Sequence, residues 1–423
     1  MTPRFSTAAA ILAVILAGAV LTAQRRDVFV TSRDHAAIQY STGPTRDAVD
    51  RLNERLEAGT ARLRFDPDNG YLRSVLEALN VPVDSQALVF SQTSFQGPII
   101  NFHNPRAIYF NDTVAVGWVR GGDVLEVAAQ DARQGTIFYN IEQKPSAKPR
   151  LTRNNDCLAC HLSWETLGVP GLTVQSVHPL LDDKSYVNGY TTTHGSPLEQ
   201  RWGGWYVTGN HGGARHMGNI PVMPADKGKG KLANPRQVLK SVDGMFDLKG
   251  YPTPFSDVVA LMVLEHQGHM ANLITRVGWE ARLAEASPSK DASLRVVEGA
   301  RDLVDYLLFV YEAPFAGPIQ GSSGFAARFA AEGPRDTKGR SLKELDLRKR
   351  MFKYPCSYMI YTEAFTSLPK TAKDAVYNRM WEVLSGRDKH PRYNVLSAVD
   401  RQAIIEILRD TKKDLPPYFQ RAS

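Results

Sequence analysis

Two cysteines stand three positions apart in this sequence, and a histidine follows the second one directly, in the run Cys157-Leu-Ala-Cys160-His161. Two thiols at this spacing can each add across a vinyl group of a haem, while the adjacent imidazole reaches the iron on the same face of the porphyrin. The chain contains only three cysteines and ten histidines, so chance is a weak explanation for the pattern. The motif therefore favours covalent attachment of haem.

Two other chemistries that use paired cysteines remain as alternatives. A structural zinc site needs four ligands, but the third cysteine, Cys356, stands alone far along the chain. A thiol-disulfide site would place the pair at the end of a strand that opens an apolar helix. Here the polar run Thr152-Arg-Asn-Asn-Asp156 precedes the pair. Both alternatives therefore rank below haem.

At these five residues the chain resembles the c-type cytochromes. The resemblance implies one covalently bound haem c, with Cys157 and Cys160 as thioether partners and His161 as the proximal ligand of the iron. Beyond the motif, the run from Arg106 to Trp202-Gly-Gly-Trp205 is similar to large bacterial proteins that carry a single haem. That likeness implies a cofactor but no particular activity.

The ligand on the other side of the iron largely decides between electron transfer and the binding of a small molecule. The run Asn210–Asn219 concentrates possible ligands among small residues, which let the backbone approach a flat ring closely. We expect Met217 to be this sixth ligand, with His216 as the next choice. The further candidates are His211, Met223 and His194. An exposed polar turn is the alternative for each of them.

Two arginines, Arg201 and Arg215, are candidate partners of the haem propionates. A guanidinium group matches the geometry of a carboxylate and can bind it through two parallel hydrogen bonds. Ordinary solvation at the surface is the alternative for either side chain.

A further candidate ligand, His266, falls within an apolar stripe of a predicted helix over residues 258–284. A histidine in such a stripe is more often a core residue whose ring is satisfied by a hydrogen bond. The run Glu265-His266-x-x-His269 does not match the zinc-protease motifs. Cys356 lies in an apolar, aromatic stretch, and we expect a buried free thiol there.

The amino terminus has the features of an export segment. A short basic start ending at Arg4 is followed by an uncharged apolar run over residues 8–21 and by small residues, with possible cleavage after Ala19 or Ala23. We therefore expect residues 1–23 to be a signal peptide or, alternatively, an uncleaved membrane anchor. The rest of the chain would then be exported, as in a periplasmic protein, with membrane contact only through such an anchor.

The composition is that of an ordinary globular protein and excludes several classes. Hydrophobic residues make up 43% of the 423-residue chain and charged residues 22%, which excludes collagen, coiled coils and wholesale disorder. The net charge of +7 is mild for this length, and no dense cluster of Lys and Arg is present to follow a phosphate backbone. Nucleic acid is thus a poor candidate partner, and we expect a redox protein instead.

The hydrophobic periodicity divides the chain into two halves. Short runs of β-branched and aromatic residues between Ala87 and Ile141, separated by turn pairs, predict a small antiparallel sheet. A further strand-like run covers residues 205–208. Helical spacing predicts two short helices between Arg46 and Ala78 and a mainly helical chain after Val258, with helices that include 342–351 and 398–409. Ser397 and Asp400 predict a capping box at the start of the last helix. The basic, glycine-bearing run 226–231 is typical of a loop or linker. We expect an α+β protein, with a haem-bearing domain over 24–235 and a helical domain over 236–423, and not the small all-helical cytochrome fold alone.

The leading hypothesis from the sequence is an exported electron-transfer protein with one haem whose iron keeps six ligands in both oxidation states. The alternative is a haem enzyme or sensor with an open or displaceable sixth position. Its motivation is size, because about 400 residues around one haem can shape a pocket near Trp202, Trp205 and Tyr206.

Overall fold

The computed structural model describes residues 32–177, 189–220 and 238–420. The predicted export segment, Met223 and the basic run 226–231 lie outside these ranges. In the described ranges an antiparallel sheet occupies the amino-terminal half and the carboxyl-terminal half is mostly helical, so the predicted α+β class is confirmed. No helix in these ranges has the length and apolar character needed to cross a bilayer.

The largest sheet has six strands that pair antiparallel in chain order. The strands are β1 Ala87–Val89, β2 Arg106–Phe110, β3 Val114–Trp118, β4 Val124–Asp131, β5 Gly135–Glu142 and β6 Thr152–Arg153. The turn pairs between the hydrophobic runs join neighbouring strands, as the sequence predicts. The predicted strands between Ala87 and Ile141 are therefore confirmed, with small differences at their ends.

Two pairs of short strands complete the β-structure of the described chain. Strand β7 Val174–Val177 pairs with β8 Gly189–Thr192, and β9 Asn210–His211 pairs with β10 Ile319–Gln320. The strand predicted over residues 205–208 is wrong. Trp205 bridges to β1, whereas Thr208 bridges to Leu239 and Asp257. This segment therefore contacts three different partners and does not extend along any one strand.

The helices of the described chain are mainly in its second half. They are α1 Ala48–Glu57, α2 Leu72–Ala78, α3 Leu158–His161, α4 Val258–Ala286, α5 Lys290–Leu307, α6 Phe325–Ala331, α7 Glu363–Thr366, α8 Lys370–Leu384 and α9 Ala398–Thr411. The predicted capping box at the start of α9 is confirmed, because the side chains of Ser397 and Asp400 each bond to the other's backbone N–H.

The helix predicted over residues 342–351 is wrong, since this segment is irregular. Its apolar residues have helical spacing, but tertiary contacts determine its path. Lys343 is buried and its ammonium group pairs with Asp112 and Glu332, while Leu345 bridges to Phe352. These ion pairs and this β-bridge outweigh the weak helical propensity of the segment.

The long helix α4 lies at the centre of the molecule. It packs against α5 and also contacts β5 and β7, and its side chains are buried around most of its circumference. One hydrophobic cluster joins residues of β1 and β2 with residues of α4 and the later helices. The two halves therefore share a core, and a domain boundary near residue 235 stays a prediction.

Candidate haem-attachment site

The Cys-x-x-Cys-His motif lies on a single tight turn of helix. A short 3-10 turn over Asn155–Cys157 leads directly into α3, and the side chain of Asn154 accepts a hydrogen bond from the Asp156 N–H at its start. Cys157 is half-buried, and Cys160 is exposed. The local sequence thus brings both thiols and the imidazole of His161 together within one turn.

The imidazole of His161 has its two nitrogens in different roles. Its Nδ1 lies 2.9 Å from the carbonyl oxygen of Gly171, so Nδ1 carries the proton and donates it. Burial lowers the pKa of His161, which keeps the ring neutral, and the ring packs against Phe138 at 4.7 Å between centroids. The lone pair is therefore on Nε2. Metal-ligating histidines commonly show this arrangement.

The carbonyl that receives this hydrogen bond is held by helix α4. The Asn272 side chain accepts from the N–H of Leu172 at 3.1 Å and donates to the Leu172 carbonyl at 2.8 Å. Gly171 leaves room for this contact, because a Cβ at that position would stand 2.0 Å from Asn272 Oδ1. The orientation of His161 therefore depends on a buried amide that the sequence places on the polar side of its helix.

A largely apolar cavity opens in front of the motif and is lined by Cys157, Cys160 and His161. A depression beside it shares Cys160 and His161 and extends to Trp164. The motif thus faces a concave, largely apolar space, as cofactor sites commonly do.

The floor of this cavity is one face of the six-stranded sheet. Small residues cover much of the floor, since the register sets Ala115 of β3 opposite Ala128 of β4 and places Gly117 beside them. Leu264 and Gly268 of α4 contribute to the lining. The result is a flat, largely apolar space between the sheet and α4.

Two charged side chains stand in this otherwise largely apolar cavity. Arg106 of β2 and Glu126 of β4 form an ion pair at 2.5 Å, and both line the cavity. The Nε of Arg106 is buried and has no hydrogen-bond partner. Neither residue stands out in the sequence, although a glycine inside a strand, Gly117, is a signal of close approach by another group.

The predicted sixth ligands from residues 210–219 lie elsewhere. Met217 does not line the cavity, and its sulfur lies 3.8 Å from the hydroxyl oxygen of Ser176, which donates to it. His211 and His216 are buried with their rings 4.6 Å apart and nearly perpendicular. Neither histidine lines the cavity. The structure therefore brings these three candidates near one another and does not bring them to His161.

The two other histidine candidates belong to a buried network. Nδ1 of His194 and Nδ1 of His266 are 2.9 Å apart, and Nε2 of His266 lies 2.7 Å from the hydroxyl oxygen of Ser357. Both rings stack against Tyr306. Both nitrogens of His266 therefore take part in hydrogen bonds, as expected for a core histidine.

The two arginines selected from the sequence do not line the cavity. Arg201 is fully buried, pairs with Glu265 at 3.0 Å and donates to the carbonyls of Ser196 and His194. Arg215 is exposed. The only arginine that lines the cavity among the described residues is Arg106. Cys356 is a buried free cysteine, as expected.

The structure bears on the two alternative uses of the cysteine pair. Burial, followed by the charge of Glu126, raises the pKa of Cys157 to about 11, whereas a redox-active thiol needs a lowered pKa. Across residues 32–177, 189–220 and 238–420, no three His, Cys, Asp or Glu side chains are grouped to hold a bare metal ion. The raised pKa of Cys157 disfavours the thiol-disulfide alternative.

Comparison with known proteins adds nothing to this picture: no family model, no curated protein and no solved structure matches the chain. The resemblance to c-type cytochromes therefore rests on the motif itself.

Proposed function

We propose that this protein is exported and binds one haem covalently in the cavity, through Cys157 and Cys160, with His161 as the proximal ligand of the iron. The observation that carries the proposal is the hydrogen bond from His161 Nδ1 to the Gly171 carbonyl, which leaves Nε2 as the ligating atom. Haem supplies an iron that exchanges one electron or binds a small ligand. Export belongs to the proposal, because covalent attachment at this motif proceeds outside the cytoplasm.

The chain's own residues fit such a cofactor in two further ways. Arg106 offers a buried Nε–H that has no hydrogen-bond partner, and a haem propionate is a carboxylate that can accept it. The small floor residues Ala115 and Ala128 leave room for a planar ring to approach the sheet. We therefore assign to Arg106 the propionate contact that the sequence suggested for Arg201 and Arg215.

The same cavity favours a role in binding a small molecule. Among the described residues that line it, His161 is the only histidine, and there is no methionine or lysine. Methionine and histidine are the usual protein ligands in six-coordinate cytochromes. If a haem is held here, the described residues that line the cavity supply no second ligand, which favours an open or displaceable sixth position, as in a haem enzyme or a sensor.

Electron transfer to a redox protein is the second candidate, and the position of the motif supports it. Cys160 is exposed, and Trp164 beside it has 70% of its surface exposed. The attachment turn is therefore at the surface, where a partner protein can approach the edge of the cofactor closely. This role requires that the iron exchange electrons with a partner faster than it captures small ligands.

Covalent attachment is tested by the pyridine haemochrome spectrum of the full chain purified from a host that matures c-type haem. We expect a c-type spectrum that survives denaturation, and its loss when Cys157 and Cys160 are replaced by serine. Cys356→Ser is the matched control, because this cysteine is buried away from the cavity, and it should retain the haem. A wild-type protein without pigment would overturn the proposal.

The two roles are separated by the ferric spectrum and by carbon monoxide. An open sixth position predicts a high-spin ferric spectrum and rapid binding of carbon monoxide by the reduced protein. A low-spin spectrum that carbon monoxide does not change would favour electron transfer and would remove the small-molecule role.

A further inference from the structure

The Arg106–Glu126 pair joins two strands of the sheet that are not neighbours. Arg106 belongs to β2 and Glu126 to β4, with β3 between them. Their side chains nevertheless meet at 2.5 Å, and they are only 22% and 17% exposed. An ion pair with this little exposure lies in a medium of lower dielectric than water, so its charges act strongly on their neighbours.

Gly117 of β3 makes this ion pair across the intervening strand possible. Gly117 stands directly opposite Glu126 in the β3–β4 register. A Cβ at Gly117 would lie 2.4 Å from one terminal nitrogen of Arg106 and 2.9 Å from its Cζ. The guanidinium group therefore crosses the strand at Gly117, where no side chain blocks it.

Both charges of the pair act on the attachment motif. After burial, the negative charge of Glu126 is the next influence that raises the pKa of Cys157, and Arg106 opposes it. Arg106 and Glu126 also line the same cavity as Cys157 and His161. The two charges therefore face the thiol and the imidazole, and in the intact pair their effects there partly cancel.

We propose that the Arg106–Glu126 pair sets the electrostatic potential at the attachment motif, and thereby the reduction potential of the iron that His161 holds. This inference rests on the proposed function. A positive charge near the iron favours the ferrous state and a negative charge favours the ferric state. Removing Glu126 takes away one negative charge and removing Arg106 takes away one positive charge, so the two removals act with opposite signs.

The test measures the reduction potential of the holoprotein by spectroscopic titration. Glu126→Gln should raise the potential and Arg106→Gln should lower it, each changing the ferric-to-ferrous equilibrium by roughly tenfold, or about 59 mV for one electron. The double variant should return close to the wild-type value. A structural role alone would move both single variants in the same direction, and that outcome overturns the proposal.

A matched control is the pair of Arg328 and Asp84, which meet at 2.8 Å with 31% and 22% of their side chains exposed. Neither residue lines the cavity. Arg328→Gln and Asp84→Asn change the net charge in the same way, and we expect the potential to stay unchanged. If the reduction potential shifted as much in these control variants as in the Arg106 and Glu126 variants, the effect would be a general one of net charge. That result would overturn the proposal.

A second readout needs no haem. In the full chain produced without haem maturation, on a Cys160→Ser background, Cys157 is the one accessible thiol among the described cysteines, because Cys356 is buried. Its alkylation at a fixed pH should be faster with Glu126→Gln and slower with Arg106→Gln. Equal rates would overturn the proposal. A pigmentless holoprotein preparation would instead overturn the proposed function, so the two failures are distinct.

Gly117→Ala tests the geometry while keeping both charges. The added methyl group displaces the flexible guanidinium and separates the pair. We expect a change in potential without any change in net charge. An unchanged potential in this variant, with haem attached, would contradict the account of how the pair is held.

Discussion

Asn272 on α4 holds both backbone polar groups of Leu172, accepting from its N–H at 3.1 Å and donating to its carbonyl at 2.8 Å. The preceding carbonyl, that of Gly171, receives the hydrogen bond from His161. A buried amide in the helical half therefore fixes the ring of the candidate iron ligand in the sheet-bearing half. The two halves are coupled at the site as well as through their shared core.

Replacing Asn272 by alanine removes both hydrogen bonds to the backbone of Leu172. The N–H and carbonyl of Leu172 would lose their partner, which costs about 1–3 kcal/mol for each buried group left unsatisfied. We expect the free energy of unfolding, measured by urea denaturation, to fall by about 2 kcal/mol. The spectrum of the attached haem should change as well, because the imidazole is less firmly oriented.

Asn219→Ala provides the control for this prediction. Asn219 forms the same two-bond clamp on Val207, with distances of 2.7 and 2.9 Å, but it does not line the cavity. Its removal should destabilise the protein and leave the haem spectrum unchanged. If both variants altered the spectrum equally, Asn272 would have no special connection to His161.

The fold was largely predictable from the sequence because its elements follow local periodicity. The strands between Ala87 and Ile141 alternate in hydrophobicity and are separated by turn residues, and α4 and α9 show helical spacing. The errors occur at residues 205–208 and 342–351, where hydrogen bonds and ion pairs to distant segments replace regular structure.

The candidate site was predictable only where it is local in sequence. Cys157, Cys160 and His161 lie within one turn and line one cavity. Arg106 and Asn272 escaped prediction because their roles follow from strand register and from the packing of α4 against the loop at Gly171. The one local sign is Gly117, a glycine inside a strand, which indicates close approach by another group but does not name it.

Met217→Ala should leave the visible spectrum of the haem protein unchanged. The sulfur accepts a hydrogen bond from Ser176 and Met217 does not line the cavity, so we expect no sulfur-to-iron bond. The measurement is the near-infrared spectrum of the ferric protein, where a sulfur-to-iron charge-transfer band would appear. The presence of such a band in the wild type and its absence in the variant would show that Met217 is a ligand after all.

Arg201→Met should affect stability and not the cofactor. It would leave Glu265 as an unpaired buried charge, a change that costs about 3–5 kcal/mol. Thermal unfolding should therefore occur at a clearly lower temperature, while the folded fraction keeps covalent haem with an unchanged potential. A shifted potential with unchanged stability would instead place Arg201 beside the cofactor.

The buried histidines predict a loss of stability in mild acid. Burial lowers the pKa of His266 and His216 to about 3 and that of His269 to about 4. Their ordinary pKa is about 6.5, so the unfolded chain binds protons below that pH while the folded chain does not. The folded state should be fully stabilised above about pH 6.5 and should lose stability as the pH falls towards 4.

The check is a series of urea denaturation curves between pH 7.5 and 4.5. Each neutral buried histidine contributes a slope of about 1.4 kcal/mol per pH unit below about pH 6.5 and none above it. His266→Gln should reduce this slope of the unfolding free energy by about 1.4 kcal/mol per pH unit, whatever its effect on stability at pH 7.5. An unchanged slope would mean that His266 binds its proton equally in the folded and unfolded states.

The most direct test of the central claim is the intact mass of the exported chain from a host that matures c-type haem, recorded before and after extraction with acidified acetone. We predict the mass of the polypeptide plus one haem in both samples, and the polypeptide alone when both Cys157 and Cys160 are serine. A wild-type mass equal to the bare polypeptide, or a haem that the solvent removes, would contradict the account.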